Sequence, residues 1–485
     1  MLTKQQTFYF LLLSVCFFQC KGQATKQTSN QKPNIIYILA DDLGYGDVGF
    51  NGQQKIKTPT LDKMAKDGIT FSQHYAGSAV CGPSRVSLMT GLHAGHSSVR
   101  ANPKWTKSGL PVDFKDEEIT IAESLKKAGY RTGIVGKWAL AENLAETQPN
   151  NQGFDYFFGF NKHISAHHYY PEEIWENKKL VKLPNNNTKA KKGAHVQELF
   201  TQKAIEFIKR EHKNNFFLYL PFTTPHYELT LPEKHKTYYR KKGWPLRKMK
   251  SKHYYNDPDG HVTYAAMVSK MDKDIQRIYD TLELLHIADN TLVIFTSDNG
   301  HEYDQTNNEF FNSNGPFRGK KRDVYEGGIR VPFVATWPGH IKKGTSSNHA
   351  SAFWDVKATF CELTGVELEG KTDGVSFLPV LIGDVKKQKK HDYLYWEMNE
   401  RAGPIQALQK GDWKLIYFKS KNKYELYNLE RDPSEKQNVV ASELQVFENL
   451  KKTLVLVRNP HPEFPLEKKK IKKTKNKQAK NNKNV

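Results

Sequence analysis

Cysteine is scarce in this sequence, with four among 485 residues: Cys16, Cys20, Cys81 and Cys361. Because two of them lie in an apolar N-terminal stretch, too few remain for a disulfide framework. The apolar run in that stretch, at residues 8–13, is too short for an ordinary transmembrane helix, so no transmembrane segment is predicted.

Residues 1–24 have the layout of an export signal, with a basic residue, the apolar run and then small or polar residues. We expect cleavage after Ala24, a polar linker at 25–32, and therefore a secreted or periplasmic protein. Processing at Cys20 would instead give a membrane-anchored lipoprotein, although Gln19 is a poor residue before a lipidated cysteine.

Acidic residues are outnumbered, since 52 Asp and Glu face 73 Lys and Arg, and the net charge is +21. Nine of the lysines lie between residues 468 and 485, where there is no acid and no aromatic residue. Nucleic-acid binding would call for aromatic side chains among these lysines, so we expect a solvated, disordered tail at 466–485 and no nucleic-acid partner. The positive charge outside this tail suits the steering of a polyanionic substrate.

Between residues 33 and 390, continuous apolar runs alternate with amphipathic helical patterns. This alternation predicts an α/β fold with a large mixed, mostly parallel sheet sandwiched between helices. From 391 to 465, short β-like runs and one helical pattern predict a smaller C-terminal subdomain with an antiparallel sheet. The main strands of the large sheet are predicted at 34–40, 131–136, 216–220, 291–296 and 333–337.

Polar residues come shortly after four of these strands. In sheets of this kind, ligands collect beyond the carboxyl ends of the strands. We therefore expect one site at that edge, built from residues more than 250 positions apart: Asp41, Lys137, His226 and Asp298.

A metal site is predicted at the same edge. Asp41, Asp42, Asp298 and Asn299 offer only oxygen donors, and crowded carboxylates favour a hard dication. Calcium is favoured over zinc, which prefers His or Cys ligands. The alternative for each pair is an ordinary turn, because Asp-Asp and Asp-Asn before a small residue are common turn sequences.

Cys81 stands where a loop is predicted to become a helix, and Pro83 suits the first helical turn. A thiol near a helix N-terminus with Arg85 beside it is expected to have a lowered pKa, which would make it a possible nucleophile. The alternative is a buried structural cysteine.

The segment from Cys81-Gly82-Pro83-Ser84-Arg85 to Thr90-Gly91 resembles the signature by which type I sulfatases, of the alkaline-phosphatase-like superfamily, have their cysteine converted to formylglycine (3-oxoalanine). The resemblance extends from about residue 33 to 433. It implies a catalytic domain at 33–390, a maturation enzyme acting on Cys81, and hydrolysis of sulfate esters. The formylglycine hydrate carries two hydroxyls on one carbon, so one can attack sulfur and the other can then lose its proton and expel sulfate.

The resemblance also implies roles for individual residues. The modified Cys81 would join the two aspartate pairs around one calcium ion per chain, and Arg85 would hold the hydrate. Lys137 and Lys321 would contact the sulfate, and His226 would protonate the leaving oxygen or bind the sulfate. Contacts to the alcohol portion of the substrate are expected from residues beside the second acidic pair: His301, Glu302 and Tyr303.

The sequence departs from the family at Ala139, where Gly136-Lys137-Trp138 would be followed by a histidine. In the family that histidine is the base that starts sulfate release, and alanine has no proton acceptor. The departure implies either a substitute base or a slow or inactive protein. A dense histidine cluster supplies candidates: we expect His167 to be the base, and His163 and His168 to be base or sugar contacts.

The expected substrate is a sulfated polysaccharide or its oligosaccharides, since export and sulfatase chemistry occur together. Two alternatives stay open. A related hydrolase with the same aldehyde would act on phosphate diesters or phosphonates. A catalytically impaired binder of sulfated glycans is motivated by Ala139 and the basic charge.

Overall fold

The fold comes from a computed structural model, which describes residues 32–142, 147–248, 253–302, 310–401 and 403–466. The predicted export signal with Cys20, the predicted linker at 25–32 except residue 32, and the predicted tail at 466–485 except residue 466 lie outside the described residues. The strands are β1 Asn34–Ala40, β2 Ile69–Phe71, β3 His74–Tyr75, β4 Arg131–Lys137, β5 Tyr156–Phe160, β6 Glu173–Glu176, β7 Lys179–Lys182, β8 Phe216–Pro221, β9 Thr291–Ser297, β10 Phe333–Thr336, β11 Thr345–Ser347, β12 Ser351–Ala352, β13 Leu394–Met398, β14 Ile405–Lys410, β15 Trp413–Phe418 and β16 Lys423–Asn428. The helices are α1 Pro59–Asp67, α2 Cys81–Thr90, α3 Ile121–Lys127, α4 Val196–Glu211, α5 Thr237–Arg240, α6 Gly260–Leu284, α7 Glu326–Ile329, α8 Asp355–Thr364, α9 Leu378–Leu381 and α10 Leu444–Leu456.

A ten-stranded sheet forms the centre, in the order β11-β2-β10-β9-β1-β8-β4-β5-β6-β7. The five strands from β9 to β5 run parallel, and β10 and β6 pair antiparallel on either side of them. The predicted mixed, mostly parallel sheet is confirmed. Every residue of β1 is buried, as its continuous apolar sequence indicates for a central strand.

Helices cover both faces of the sheet, and alternate residues of β1 point into different cores. Ile36 and Ile38 pack on the face covered by α1, α4 and α6. Ile35 and Tyr37 pack on the face covered by α2, α3 and α8. Because successive side chains of a strand point to opposite faces of the sheet, β1 packs against both helical layers.

The smaller C-terminal sheet is antiparallel, in the order β13-β14-β15-β16, as predicted. One of its faces packs against α10 through Leu408 and Leu450. Its other face packs on the large sheet's helical layer, where Trp396 lies among Tyr75 and Trp354. The domain boundary at residue 391 stays a prediction.

Several short strands have no clear sequence pattern, namely β2, β11 and the hairpin of β6 and β7. Strands of three or four residues carry too short an alternation to detect. In the described part of the chain, no helix is both long enough and apolar enough to cross a bilayer.

Candidate active site

The parallel register brings the predicted strand-end residues together. Ala40 at the end of β1 pairs with Ser297 at the end of β9. Asp298 then donates its backbone N–H to Ala40 O at 3.1 Å, and Asp42 donates its own to Asp298 Oδ1 at 3.1 Å. Residues 256 positions apart in the sequence therefore share one buried edge.

Three acids and three cations face one another at this edge. Lys137 Nζ lies 2.7 Å from Asp41 Oδ2, Arg85 Nη2 lies 2.7 Å from Asp298 Oδ2, and Lys321 Nζ lies 2.6 Å from Asp42 Oδ2. All six side chains are almost completely buried. Charges taken out of water must be paired closely to be tolerated, so this is a tightly constrained cluster.

Burial shifts the protonation of these acids. It raises the pKa of Asp298 to about 7 and that of Asp42 to about 6, against the opposing pull of nearby cations. For Asp41, burial acts in the same direction, but Lys137, His226 and Arg85 together hold its pKa well below the usual range. An additional positive charge would keep all three as carboxylates.

The donor set fits a hard dication. Asp41 Oδ1 and Asn299 Oδ1 are buried and, among the described residues, make no hydrogen bond. Ligand atoms of Asp41, Asp298 and Cys81 all lie within 4.8 Å of one another. Buried oxygen atoms that accept no hydrogen bond from the protein are available to a calcium ion, so the predicted metal ligands are placed consistently with such a site.

Cys81 is the first residue of α2 and is fully buried. Its Sγ lies 3.7 Å from Asn102 Oδ1 and 3.7 Å from His163 Nδ1. The expected lowering of its pKa is wrong, because burial raises the pKa of the thiol more than Lys137 and Lys321 lower it. A simple thiolate nucleophile is therefore not what this environment favours.

Arg85 makes its hydrogen bonds to the side chain of Asp298 and to the backbone of Lys137. Its Nε and Nη2 both donate to Asp298 Oδ2, at 3.0 and 2.7 Å, and its Nη1 donates to Lys137 O at 2.7 Å. Ser84 Oγ donates to Asp298 O at 2.6 Å. Two residues of the cysteine signature thus hold a predicted metal ligand in place, a role the sequence did not indicate.

His226 adjoins the acids through Nε2, which lies 3.5 Å from Asp42 Oδ2. Its Nδ1 contacts the backbone oxygen of Tyr227, and its Nε2 faces the site. Burial lowers the pKa of His226 to about 3, although Asp41 pulls in the opposite direction.

The other predicted histidines line the same region with different partners. The ring of His167 stacks on His226 at 5.0 Å, and His167 Nδ1 lies 3.1 Å from His253 Nε2. His168 Nδ1 lies 3.2 Å from Glu228 Oε2. His163 contacts Cys81, and burial together with the positive charge of Lys137 holds its pKa well below the usual range.

Lys321 Nζ pairs with Glu302 as well as with Asp42, and lies 2.8 Å from Glu302 Oε2. Glu302 also contacts Arg322. Burial opposes ionisation of Glu302, but these two cations lower its pKa far below the usual range. His301 is buried beside it, and Tyr303 lies outside the described residues.

Sequence reasoning did not identify Asn102, Arg322, Glu228 or His253. Asn102 Oδ1 accepts the backbone N–H of Gly82 at 3.0 Å, which fixes it over the start of α2. It lies in the segment between α2 and α3, where no motif or periodic pattern could have singled it out. The two cysteines in the described residues, Cys81 and Cys361, are buried and unpaired.

The profile of the Sulfatase family matches residues 33–366, and the profile described as N-sulphoglucosamine sulphohydrolase, C-terminal, matches residues 317–459. The chain is 30% identical to human N-acetylgalactosamine-6-sulfatase over 462 residues, covering 90% of this chain and 82% of the human protein. It is 29% identical to N-acetylgalactosamine-6-O-sulfatase of Bacteroides thetaiotaomicron over 523 residues, covering 90% and 95%. Among solved structures, Ps i-CgsB in complex with k-i-k-neocarrahexaose superposes with a TM-score of 0.75 at 28% identity, covering 90% of this chain and 95% of that one.

Proposed function

The chain belongs to the sulfatase family of sulfuric ester hydrolases, and from this premise we propose that it desulfates a sulfated polysaccharide or its oligosaccharides with a formylglycine made from Cys81. Two kinds of relative support the substrate class. The human and bacterial relatives are named N-acetylgalactosamine 6-sulfatases, and Ps i-CgsB was solved with a neocarrahexaose.

One observation carries the proposal: Cys81, three carboxylates and three buried cations occupy a single cluster at the carboxyl edge of the sheet. Asp41, Asp298 and Cys81 place their ligand atoms within 4.8 Å of one another. A sulfate ester is a tetrahedral anion, and Lys137 and Lys321 are the two ammonium groups in this cluster that can meet its oxygens. In a buried site such charge neutralisation is worth several kcal/mol of transition-state stabilisation.

The metal and the modified residue add the reactive chemistry. A calcium ion held by Asp41, Asp42, Asp298 and Asn299 would supply positive charge to polarise the sulfate group, and the hydrate of formylglycine would supply the attacking oxygen. The chain's own residues set the geometry. Ser84 and Arg85 donate hydrogen bonds to Asp298. Asn102 accepts the backbone N–H of Gly82, which fixes the first turn of α2 and with it the position of residue 81.

His226 is proposed to donate a proton to the leaving alcohol from Nε2. In this environment its pKa is about 3, so the imidazole is neutral before substrate arrives. A bound sulfate ester adds negative charge near the ring and favours the protonated form, because an opposite charge stabilises the imidazolium. The ring is already aligned for this by the contact of Nδ1 with the Tyr227 backbone.

Sulfated-glycan binding without turnover is the second candidate, and Ala139 is the observation that favours it. Ala139 is buried beside the end of β4 and has a backbone φ of 56°. A methyl side chain at this position cannot accept the proton that the family's histidine takes.

We further propose that the protein is exported through residues 1–24, either cleaved after Ala24 or anchored at Cys20.

The test begins with protein made in a host that forms formylglycine, with the conversion of residue 81 measured by mass spectrometry of its tryptic peptide. Released sulfate is then measured for N-acetylgalactosamine 6-sulfate, glucosamine 6-sulfate and carrageenan oligosaccharides, each at matched conversion. Bis(4-nitrophenyl) phosphate is assayed in parallel. We expect sulfate release from at least one sugar and none from a Cys81→Ala variant.

Three results would contradict the proposal. A higher kcat/KM for the phosphodiester would favour the related hydrolase. An intact thiol in the native host, or sugar binding without sulfate release at full conversion, would favour the binder.

A further inference from the structure

A proton acceptor is needed at residue 81 for sulfate release, and residue 139 does not provide one. This requirement rests on the proposed function above. The structure shows which other side chain reaches the same place. β4, which ends at Lys137, is paired in parallel with β5, so that Lys137 lies opposite Phe160. Ala139 donates its backbone N–H to Phe160 O at 3.2 Å, so the loop that follows β5 starts beside Ala139.

His163 lies three residues into that loop and turns back to Cys81. Its Nδ1 is 3.7 Å from Cys81 Sγ, within hydrogen-bond reach of a sulfur atom. Its backbone N–H donates to Glu142 Oε1 at 2.7 Å, which anchors the loop to the segment that follows β4. The ring also packs edge-on against His167 at 4.9 Å, which limits its rotation.

The contacts of Cys81 separate His163 from the other candidates. Two polar side chains of the described residues have an atom within hydrogen-bond reach of Sγ, Asn102 and His163. A carboxamide oxygen accepts a hydrogen bond but does not take up a proton as a base, whereas the unprotonated nitrogen of a neutral imidazole can. His167 makes its hydrogen bond to His253, and His168 makes its contact with Glu228.

We propose that His163 is the catalytic base for the second half-reaction, in place of the histidine absent at position 139. In the first half-reaction, one hydroxyl oxygen of the hydrate bonds to sulfur and loses its proton, while the bond from sulfur to the sugar oxygen breaks with its electron pair on that oxygen. His226 Nε2 gives a proton to the sugar oxygen, the sugar leaves as an alcohol, and the proton lost by the attacking hydroxyl balances the one that His226 gives. His163 Nδ1 then takes the proton of the second hydroxyl. The electron pair of that O–H bond forms the aldehyde C=O, and the C–O bond to sulfate breaks so that sulfate leaves with its pair. His163 is partly buried and returns the proton to solvent from the part of its surface that stays exposed, and water adds to the aldehyde to restore the hydrate.

The assignment predicts a particular failure when His163 is changed. The first half-reaction continues, so residue 81 becomes sulfated and stays sulfated. We expect His163→Ala and His163→Gln to release the first alcohol and then slow by about 10²-fold or more, the usual contribution of a general base. Glutamine keeps the side-chain bulk and a hydrogen-bonding group but cannot take the proton, so it serves as the second variant if the alanine variant folds poorly.

The experiment mixes enzyme of verified formylglycine content with 4-nitrophenyl sulfate, and separately with N-acetylgalactosamine 6-sulfate, and quenches at intervals. The readout is the fraction of the residue-81 peptide that carries one added SO₃ unit, measured by mass spectrometry beside the alcohol and sulfate released. His212→Ala is the matched control, because His212 lies between α4 and the start of β8, at the opposite edge of the sheet. The control and the wild type should show steady turnover and no accumulated sulfated peptide.

Each outcome decides one question. Sulfated peptide in both His163 variants, with one alcohol released per active enzyme, supports the assignment. Turnover at the wild-type rate in His163→Gln, or loss of alcohol release together with sulfation, overturns it. Accumulation in His167→Ala and not in His163→Ala assigns the base to His167. If the fully converted wild type shows neither sulfated peptide nor released sulfate with any probe, the proposed function itself has failed.

Discussion

Lys414 offers the sharpest test of how the small sheet supports the active site. It lies on β15 with no exposed surface, and its Nζ is 2.8 Å from Glu326 Oε1 and 2.9 Å from Glu435 Oε1. Glu326 begins α7. The backbone O of Gly328 in that helix accepts the N–H of Gly300 at 2.9 Å, and Gly300 directly follows the predicted metal ligands Asp298 and Asn299. Replacing Lys414 with Met removes the charge and keeps much of the volume.

The expected cost follows from the charges left behind. Removing one partner of a buried ion pair costs about 3–5 kcal/mol, because the remaining charge is buried without compensation. Here two carboxylates would remain, although Glu326 keeps its contacts with Arg330 at 3.2 Å and with the Tyr75 hydroxyl at 2.9 Å. Burial, and then the negative charge of Glu326, already raise the pKa of Glu435 to about 7 while Lys414 is present.

The pH dependence has a definite sign. An acid whose pKa is higher in the folded than in the unfolded protein makes the fold less stable as the pH rises from the unfolded to the folded pKa. For Glu435 this range runs from its ordinary value to about 7 in the wild type, and it extends higher once Lys414 is lost. The Lys414→Met variant should therefore lose more stability at pH 8 than at pH 5.5.

Urea unfolding at the two pH values, followed by tryptophan fluorescence and circular dichroism, measures this loss. Lys423→Met is the matched control: Lys423 pairs with Glu425 at 2.7 Å but is 57% exposed, so its loss should cost at most about 1 kcal/mol. Adding Glu435→Gln to Lys414→Met should recover part of the loss at pH 8. Equal losses for Lys414→Met and Lys423→Met, or a larger loss at pH 5.5 than at pH 8, would refute the reasoning.

Three further predictions concern the site itself. Removing calcium with EGTA should abolish sulfate release, and Asp298→Ala should abolish calcium binding in titration calorimetry; unchanged binding in that variant would exclude Asp298 as a ligand. Arg85→Lys should lower kcat/KM by about 10²-fold, because a single ammonium cannot replace the two hydrogen bonds to Asp298 and the third to Lys137 O. A variant as active as the wild type would show that these guanidinium hydrogen bonds are dispensable. Lys321→Ala should lower kcat/KM for the best sulfated sugar by about 10²-fold. It should also lower the melting temperature, since Asp42 loses its bonded lysine and Glu302 keeps only Arg322. Full activity would remove Lys321 from the sulfate contacts.

Much of the fold and of the site could be predicted from local patterns. β1 and β9 are continuous apolar runs, and the helical stripes of α4 and α6 have the expected spacing, so their order along the chain predicts a parallel sheet. The residues after parallel strands meet at one edge because of chain direction alone, which is why Asp41 and Asp298 could be placed together without coordinates. The motif around Cys81 predicted the family, and the profile match confirmed it.

Partnerships across distant segments could not be read from the sequence. Arg85 was expected at the hydrate, yet its guanidinium binds Asp298, 213 positions away. Cys81 was expected to have a lowered pKa from its neighbours in sequence, yet burial by the surrounding fold raises it. His167 was expected from the sequence to be the base, whereas of the two histidines His163 and His167 it is His163 that has a ring nitrogen in reach of Cys81.

The sequence by itself determined which residues end the strands, and therefore which acids meet at the edge of the sheet, because strand direction and hydrophobic period are local properties. The tertiary structure decided which charge pairs with which, how far burial moves each pKa, and which histidine contacts Cys81. Those outcomes depend on distances and solvent exclusion between segments that are remote along the chain, and no local pattern encodes them.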